Sequence, residues 1–142
     1  RDKRKAMEKN EEGTCNFGVH LMVDGYGGNP SLLNDQERVF RFLNELPGKT
    51  GMRKITEPLI KSFEGNEIKD PGGYSGFVMI AESHISIHTF PGRRFVSIDV
   101  YTCKNDMDKD FIVDYVKKEF ELEDVEINYV KRGTRYPVKN IV

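Results

Sequence analysis

Several features that mark whole classes of protein are scarce in this chain. Two of the 142 residues are cysteines, Cys15 and Cys103, which is too few for a disulfide framework and favours a reducing compartment such as the cytoplasm. The longest apolar runs, such as 77–81, are far too short to cross a bilayer, and no hydrophobic signal segment stands at the start. Lys and Arg total 22 against 23 Asp and Glu, so no basic field exists to hold nucleic acid. We therefore expect a cytoplasmic protein that needs neither membrane nor nucleic acid.

The sequence motifs that bind common cofactors are also missing. There is no GxGxxG at a strand–helix junction, no P-loop and no G-x-S-x-G elbow around Ser83. His84 and His88 would lie about 13 Å apart on a strand, too far to share one metal comfortably. Cys103 and His20 could add ligands, so zinc is an alternative to hydrogen-bonded histidines on a polar sheet face. Four ligands at secure spacing are absent, and we predict no metal site.

Length and hydrophobic periodicity predict one α+β domain. Residues 1–15 are predicted to form a flexible charged tail, and 16–142 a single domain in which 132–142 are peripheral. The apolar patterns predict strands near 17–23, 52–63, 77–81, 85–90, 95–103 and 125–130, a helix over 34–46 capped by Asn34 and stopped by Pro47, and a second helix capped by Asp108 and extending to Phe120. This order predicts a two-layer α/β sandwich, a mostly antiparallel sheet with helices on one face.

The most distinctive segment lies between residues 73 and 103. It contains the tripeptide Glu82-Ser83-His84, a second histidine five residues after Ser83 (His88), and Cys103 twenty residues after Ser83. With the sequence GYSGFVMIAESHISIHTFP over 73–91, this segment closely resembles the processing-site region of prokaryotic S-adenosylmethionine decarboxylase proenzymes. The resemblance extends over about 17–130 and is strong in 73–103.

The resemblance implies that the chain cuts its own backbone between Glu82 and Ser83. The products would be a β chain of residues 1–82 and an α chain of residues 83–142. The Ser83 hydroxyl would attack the preceding carbonyl, and elimination from the resulting ester would convert Ser83 into an N-terminal pyruvoyl group. That group would form a Schiff base with the substrate amine and act as the electron sink for decarboxylation.

The resemblance also assigns roles to other residues. Ser75 and His88 match residues that assist processing, and an imidazole suits the proton transfers of His88. Cys103 matches the proton donor of the decarboxylation, and an unperturbed thiol is mostly protonated at neutral pH. From the sequence pattern alone, Cys103 is a small core residue and Ser75 a turn residue. His84 matches the motif and could mainly shape the turn at the cleavage site.

The resemblance implies S-adenosylmethionine as the substrate, a product used in spermidine biosynthesis, and a homodimer of processed αβ protomers with active sites across the interface. Phe90 could stack on the purine ring. The family pattern is broken at Gly92, where relatives usually carry a glutamate that resembles a ribose-binding group, and Lys69 lies near a position where relatives place an aromatic residue. Arg93 and Arg94 follow Gly92, and these two basic residues also depart from the family pattern. The alternatives are a pyruvoyl-dependent arginine or ornithine decarboxylase of the same fold, and a binding homologue that does not process itself.

Overall fold

A six-stranded antiparallel sheet is the centre of the fold. The computed structural model describes residues 10–66, 68–69 and 71–142. In chain order its elements are β1 (Thr14–Cys15), β2 (Gly18–Tyr26), α1 (Pro30–Leu33), α2 (Gln36–Lys49), β3 (Leu59–Phe63), β4 (Gly73–Ile80), β5 (Ser83–Phe90), a 3-10 turn (Pro91–Arg93), β6 (Phe95–Thr102), α3 (Lys109–Phe120), β7 (Asp124–Arg132) and β8 (Tyr136–Pro137). The sheet order is β3-β4-β5-β6-β2-β7, and every neighbouring pair runs antiparallel.

Both long helices pack on one face of this sheet. Asp35 and Asp108 cap α2 and α3, because their side chains accept the backbone N–H groups of Arg38 and Phe111. Alternation along the strands sends one set of side chains against the helices. The core contains fully buried residues from both layers: Leu21, Val23, Val39, Phe42, Leu43, Leu46, Val78, Ile85, Ile87, Val96, Val100, Ile112, Val116 and Phe120. The predicted two-layer α+β architecture, with helices on one face, is confirmed.

The first predicted helix begins and ends later than expected. Asn34 ends the short helix α1, and Asp35 is the N-cap of α2. Pro47 does not stop α2, which continues to Lys49. Proline removes one donor, but in the last turn the helix loses little, and the N–H of Thr50 still bonds to the carbonyl of Leu46. The predicted cap at Asp108 is confirmed.

The predicted strand over 52–63 is too long. Regular pairing is confined to Leu59–Phe63, and Lys54 forms an isolated bridge with Ile80. Pro58 lies between these two stretches and lacks the N–H that a continuous ladder needs.

The chain joins the fold before the predicted boundary at residue 16. Residues 1–9 of the predicted tail lie outside the described residues. Thr14 and Cys15 pair with Pro137 and Tyr136, and the Cys15 side chain is buried. A two-residue strand is too short to produce a hydrophobic period, so the sequence pattern does not reveal it.

In the part of the chain that the structure describes, both long helices pack on the first face of the sheet and none packs on the second. Leu59, Phe77 and Met79 lie there with 48%, 43% and 44% of their surface exposed. Among the described residues, no helix is long and apolar enough to cross a membrane.

Candidate active site

A two-residue turn, Ala81-Glu82, joins β4 to β5 at one end of the sheet. Glu82 has φ of 64°, in the left-handed region that favours glycine. A side chain there costs roughly 1–2 kcal/mol relative to an ordinary conformation. The backbone is therefore strained immediately before Ser83, at the predicted cleavage site.

Cys103 forms hydrogen bonds with the residues on both sides of the peptide bond between Glu82 and Ser83. Its backbone N–H donates to Oγ of Ser83 at 3.0 Å, and its thiol donates to Oε2 of Glu82 at 3.1 Å. Ser83 is 9% exposed, whereas Glu82 is exposed and Cys103 is intermediate. The register of β5 against β6 explains the contact: His84 pairs with Tyr101, so Glu82 falls opposite Cys103. The predicted nucleophile, proton donor and cleavage-site residue therefore lie together.

The Cys103 thiol is kept in its protonated form. Burial is the first cause that raises its pKa, and the hydrogen bond to Glu82 and the negative charge of that carboxylate raise the pKa further. The hydrogen bond from Ser83 and the Cys103 backbone act in the opposite direction and are weaker. A thiol with a raised pKa is a proton donor rather than a nucleophile at neutral pH.

Ser75 and His88 form a second group of side chains, away from the β4–β5 turn that carries Ser83. Oγ of Ser75 lies 2.8 Å from Nδ1 of His88, across the paired strands β4 and β5. His88 is five residues beyond Ser83 on β5, which corresponds to about 17 Å along a strand. Within one chain, the two predicted processing residues are thus too far away to transfer a proton at Ser83.

Phe90 belongs to the same end of β5 as His88. It lies against Phe63 and Phe95, with ring centroids 6.3 and 5.7 Å away. These rings border an open cleft of about 550 Å³ whose lining residues are Tyr26, Asn66, Lys69, Phe90, Arg93 and Phe95. Gly92 is exposed and lines a separate neighbouring cleft, whereas Arg93 lines this one and its guanidinium donates to the carbonyl of Ile68. The role predicted for Phe90, stacking on a planar ring, stays a prediction, and the aromatic side chains of this cleft offer a surface for it.

The remaining histidines bind side chains rather than one another. Nε2 of His20 lies 2.9 Å from Asp99, and the ring of His84 lies 5.4 Å from that of Tyr101.

Asp24 lies on the same face of the sheet as His20, opposite the face that packs against the helices. Burial, followed by the negative charges of Glu126 and Asp99, raises its pKa. Within the described part of the chain, His, Cys, Asp and Glu side chains form no group of three or more that could hold a metal ion.

The sequence motif alone does not show how Glu82 contacts Cys103. The motif marks Glu82 only as the residue before the cut. The signal that would have found the contact is the turn at Pro91–Arg93, because it fixes the register of β5 on β6 and so places Glu82 opposite Cys103.

Comparison with known proteins identifies the family of the chain. The profile of the S-adenosylmethionine decarboxylase family matches residues 19–133. The S-adenosylmethionine decarboxylase proenzyme of Pyrococcus horikoshii is 32% identical over 117 residues, which cover 82% of this chain and 79% of the relative. The proenzyme of Clostridium botulinum (strain Langeland) is 34% identical over 116 residues, covering 82% and 94%.

A solved structure extends the similarity to the fold. The crystal structure of the adenosylmethionine decarboxylase from Aquifex aeolicus VF5 superposes with a TM-score of 0.72 and 27% sequence identity, covering 88% of this chain and 98% of that one. The resemblance of residues 73–103 to the family's processing site is thus part of a similarity over most of the chain. This chain belongs to the S-adenosylmethionine decarboxylase family.

Proposed function

We propose that this chain is a self-processing, pyruvoyl-dependent decarboxylase that acts on S-adenosylmethionine. The observation that carries the proposal is the contact set at the β4–β5 turn. One residue, Cys103, contacts both the hydroxyl of Ser83 and the carboxylate of Glu82. Family membership supports S-adenosylmethionine as the substrate, because that is the substrate in the names of the matching relatives.

Processing begins at the strained peptide bond. Oγ of Ser83 attacks the carbonyl carbon of Glu82, the C–N bond between the two residues breaks, and the hydroxyl proton ends on the freed amine. Elimination then removes a proton from Cα of Ser83 and breaks its Cβ–Oγ bond, leaving Oγ in the new α-carboxylate of Glu82. Water replaces the nitrogen at Cα, and ammonia leaves. Release of the left-handed conformation at Glu82 favours the first step.

The residues around Ser83 fit the group that this chemistry produces. When formed, a pyruvoyl group supplies a carbonyl that accepts the electron pair left by loss of carbon dioxide. The Cys103 thiol lies beside position 83 in its protonated form, so it can deliver a proton to the substrate carbon after that loss. The cleft beside Phe90 offers an aromatic surface for the nucleoside.

We further propose that a second copy of the chain completes the site. Ser75 and His88 lie about 17 Å from Ser83 along one chain, so another protomer must supply them if they assist processing. The face that carries them exposes Leu59, Phe77 and Met79, and within the described ranges no helix covers it. A twofold dimer would bury this face against the same face of the partner and bring each Ser75–His88 pair towards the other chain's turn.

The state of the two cysteines supports a reducing compartment. Both Cys15 and Cys103 are free thiols. The proposed proton donor must stay reduced to work, and thiols stay reduced in the cytoplasm, where we place the protein.

The test is release of labelled carbon dioxide from carboxyl-labelled S-adenosylmethionine, arginine and ornithine, each supplied separately. We expect turnover of S-adenosylmethionine and none with the Ser83→Ala variant. Turnover of only arginine or ornithine would overturn the substrate and make the chain a pyruvoyl-dependent amino-acid decarboxylase. No turnover of any substrate, together with an uncut chain, would make it a binding homologue.

A further inference from the structure

Cleavage of the backbone by the Ser83 hydroxyl does not use the contact between the Glu82 carboxylate and the Cys103 thiol. The nucleophile of cleavage is Ser83, and the contact of Ser83 with Cys103 uses the backbone N–H, not the thiol. The thiol is directed instead at the Glu82 side chain, 3.1 Å away. A hydrogen bond from a thiol to a carboxylate requires the thiol to be protonated.

Glu82 is the charged residue whose side chain contacts the Cys103 thiol and raises its pKa. The adjacent Lys104 directs its Nζ at the carbonyl of Gly51, at 2.7 Å. From β2, the residue packed against Cys103 is Gly18, which has no ionisable side chain. His84 lies against the ring of Tyr101, one position further along the strands. The electrostatic environment of the thiol among the described residues is therefore dominated by one carboxylate.

We propose that Glu82 is a positioning residue for Cys103, and that its carboxylate keeps the thiol protonated and directed at position 83, before and after cleavage. This inference rests on the proposed role of Cys103 as the proton donor. Its consequence is that the C-terminal residue of the β chain acts on the chemistry of the α chain.

The chemistry of processing gives a reason for Glu82 to stay in place after cleavage. The Ser83 Oγ that accepts the Cys103 N–H becomes an oxygen of the new Glu82 α-carboxylate. The same N–H can then bind the new chain end, and such a bond to a charged acceptor is stronger than the one it replaces. Both carboxylates of Glu82 would then be held by Cys103, one by its N–H and one by its thiol.

Alkylation of Cys103 by iodoacetamide tests the proposal without any substrate. The parent protein is the uncut Ser83→Ala variant, in which cleavage cannot change the result. Alkylation of the Cys103 peptide is followed by mass spectrometry from pH 6 to 10, with buried Cys15 as the internal reference. Because thiolate is the reactive form, the added Glu82→Gln change should accelerate alkylation at pH 7, by about threefold for each tenfold rise in thiolate fraction.

Two further variants make the result specific. Glu57→Gln removes an equal charge from an exposed side chain next to Lys54 and should leave the rate at Cys103 unchanged. Glu82→Asn keeps a residue that tolerates positive φ but is too short to hold the thiol, and it should act like Glu82→Gln. Equal or slower alkylation in both Glu82 variants would overturn the proposal.

The processed enzyme gives a second readout. In Glu82→Gln enzyme that has cut itself, the alkaline fall in kcat should begin at lower pH than in the wild type, with KM unchanged. A lower kcat with the same pH profile would overturn the proposal. If the chain decarboxylates none of the tested substrates, the proposed function fails, while the alkylation result still stands for or against the Glu82–Cys103 contact.

Discussion

Oγ of Ser75 and Nδ1 of His88 lie 2.8 Å apart, but both lie at the far end of the hairpin from Ser83. The family motif assigns Ser75, His88 and the nucleophile Ser83 to the same processing reaction, yet the Ser75–His88 pair and Ser83 lie at opposite ends of the paired strands β4 and β5. This separation is the strongest argument that one chain does not contain a whole site.

One inactive variant should rescue cleavage of the other. Ser83→Ala removes the nucleophile and His88→Ala removes the proposed proton carrier, so neither variant alone should cut itself. In a mixed dimer purified with two different tags, the His88→Ala chain keeps its Ser83 and receives His88 from its partner. We expect cleavage of that chain, seen as two fragments on a denaturing gel. If it stays uncut in the mixed dimer, His88 acts within its own chain or not at all.

Restoring a carboxylate at position 92 should strengthen binding of the nucleoside. A Cβ at Gly92 would meet only Pro71, at 3.9 Å, so Glu fits without strain. Hydrogen bonds to a charged group contribute about 1.5–3 kcal/mol, which predicts a KM for S-adenosylmethionine at least about tenfold lower in Gly92→Glu, with little change in kcat.

Gly92→Gln, which lacks the charge, is the matched control and should give a smaller gain. An unchanged KM in Gly92→Glu would mean that this position does not face the ribose.

Removing the charge of Asp24 should stabilise the fold at neutral pH. Burial and the charges of Glu126 and Asp99 raise the Asp24 pKa, so the folded state favours the protonated form. Stability from this group is complete below the pKa of the unfolded chain and is lost as pH rises through the raised pKa of the folded state. Asp24→Asn should therefore have a higher Tm than the wild type at pH 7, most clearly at low salt, and the same Tm near pH 3.

The exposed Asp114 on α3 provides the control, since Asp114→Asn should change Tm little at either pH. A lower Tm for Asp24→Asn at pH 7 would show that this carboxylate stabilises the sheet.

Substitutions distinguish Asp35, the observed N-cap of α2, from Asn34, the predicted one. Asp35→Ala removes the acceptor of the Arg38 N–H and should reduce the free energy of unfolding by about 1 kcal/mol. Asn34→Ala should change it by less than about 0.5 kcal/mol, because Asn34 contributes its backbone N–H to the end of α1. Urea denaturation of both variants decides between them, and a larger loss for Asn34→Ala would contradict the structure.

The features that could be predicted from the sequence are those that depend on local hydrophobic periodicity or on the motif around Ser83. Alternation in β5 and β6 and the apolar stripes of α2 and α3 gave the two-layer architecture. The motif selected Ser83 and Cys103, which the structure places in contact. The distance between Ser83 and His88 could also be estimated, because both lie on one strand.

Other features depend on interactions that a linear pattern does not contain. The short strand at Thr14–Cys15 exists because Tyr136 and Pro137, more than a hundred residues later, pair with it. The continuation of α2 through Pro47 accompanies the burial of Leu46 and Pro47 in its last turns, which the local sequence does not reveal. The Glu82–Cys103 contact depends on the register across β5 and β6, and so on a turn that lies between them.

The intact mass of the denatured, purified protein tests the central claim most directly. Cleavage before Ser83 is a covalent change, and scaling 16.4 kDa by chain length gives fragments of about 9.5 and about 7 kDa. The account predicts these two species in the wild type, with the smaller one blocked to Edman sequencing, and a single species in Ser83→Ala. One uncut species of 16.4 kDa in the wild type would contradict it.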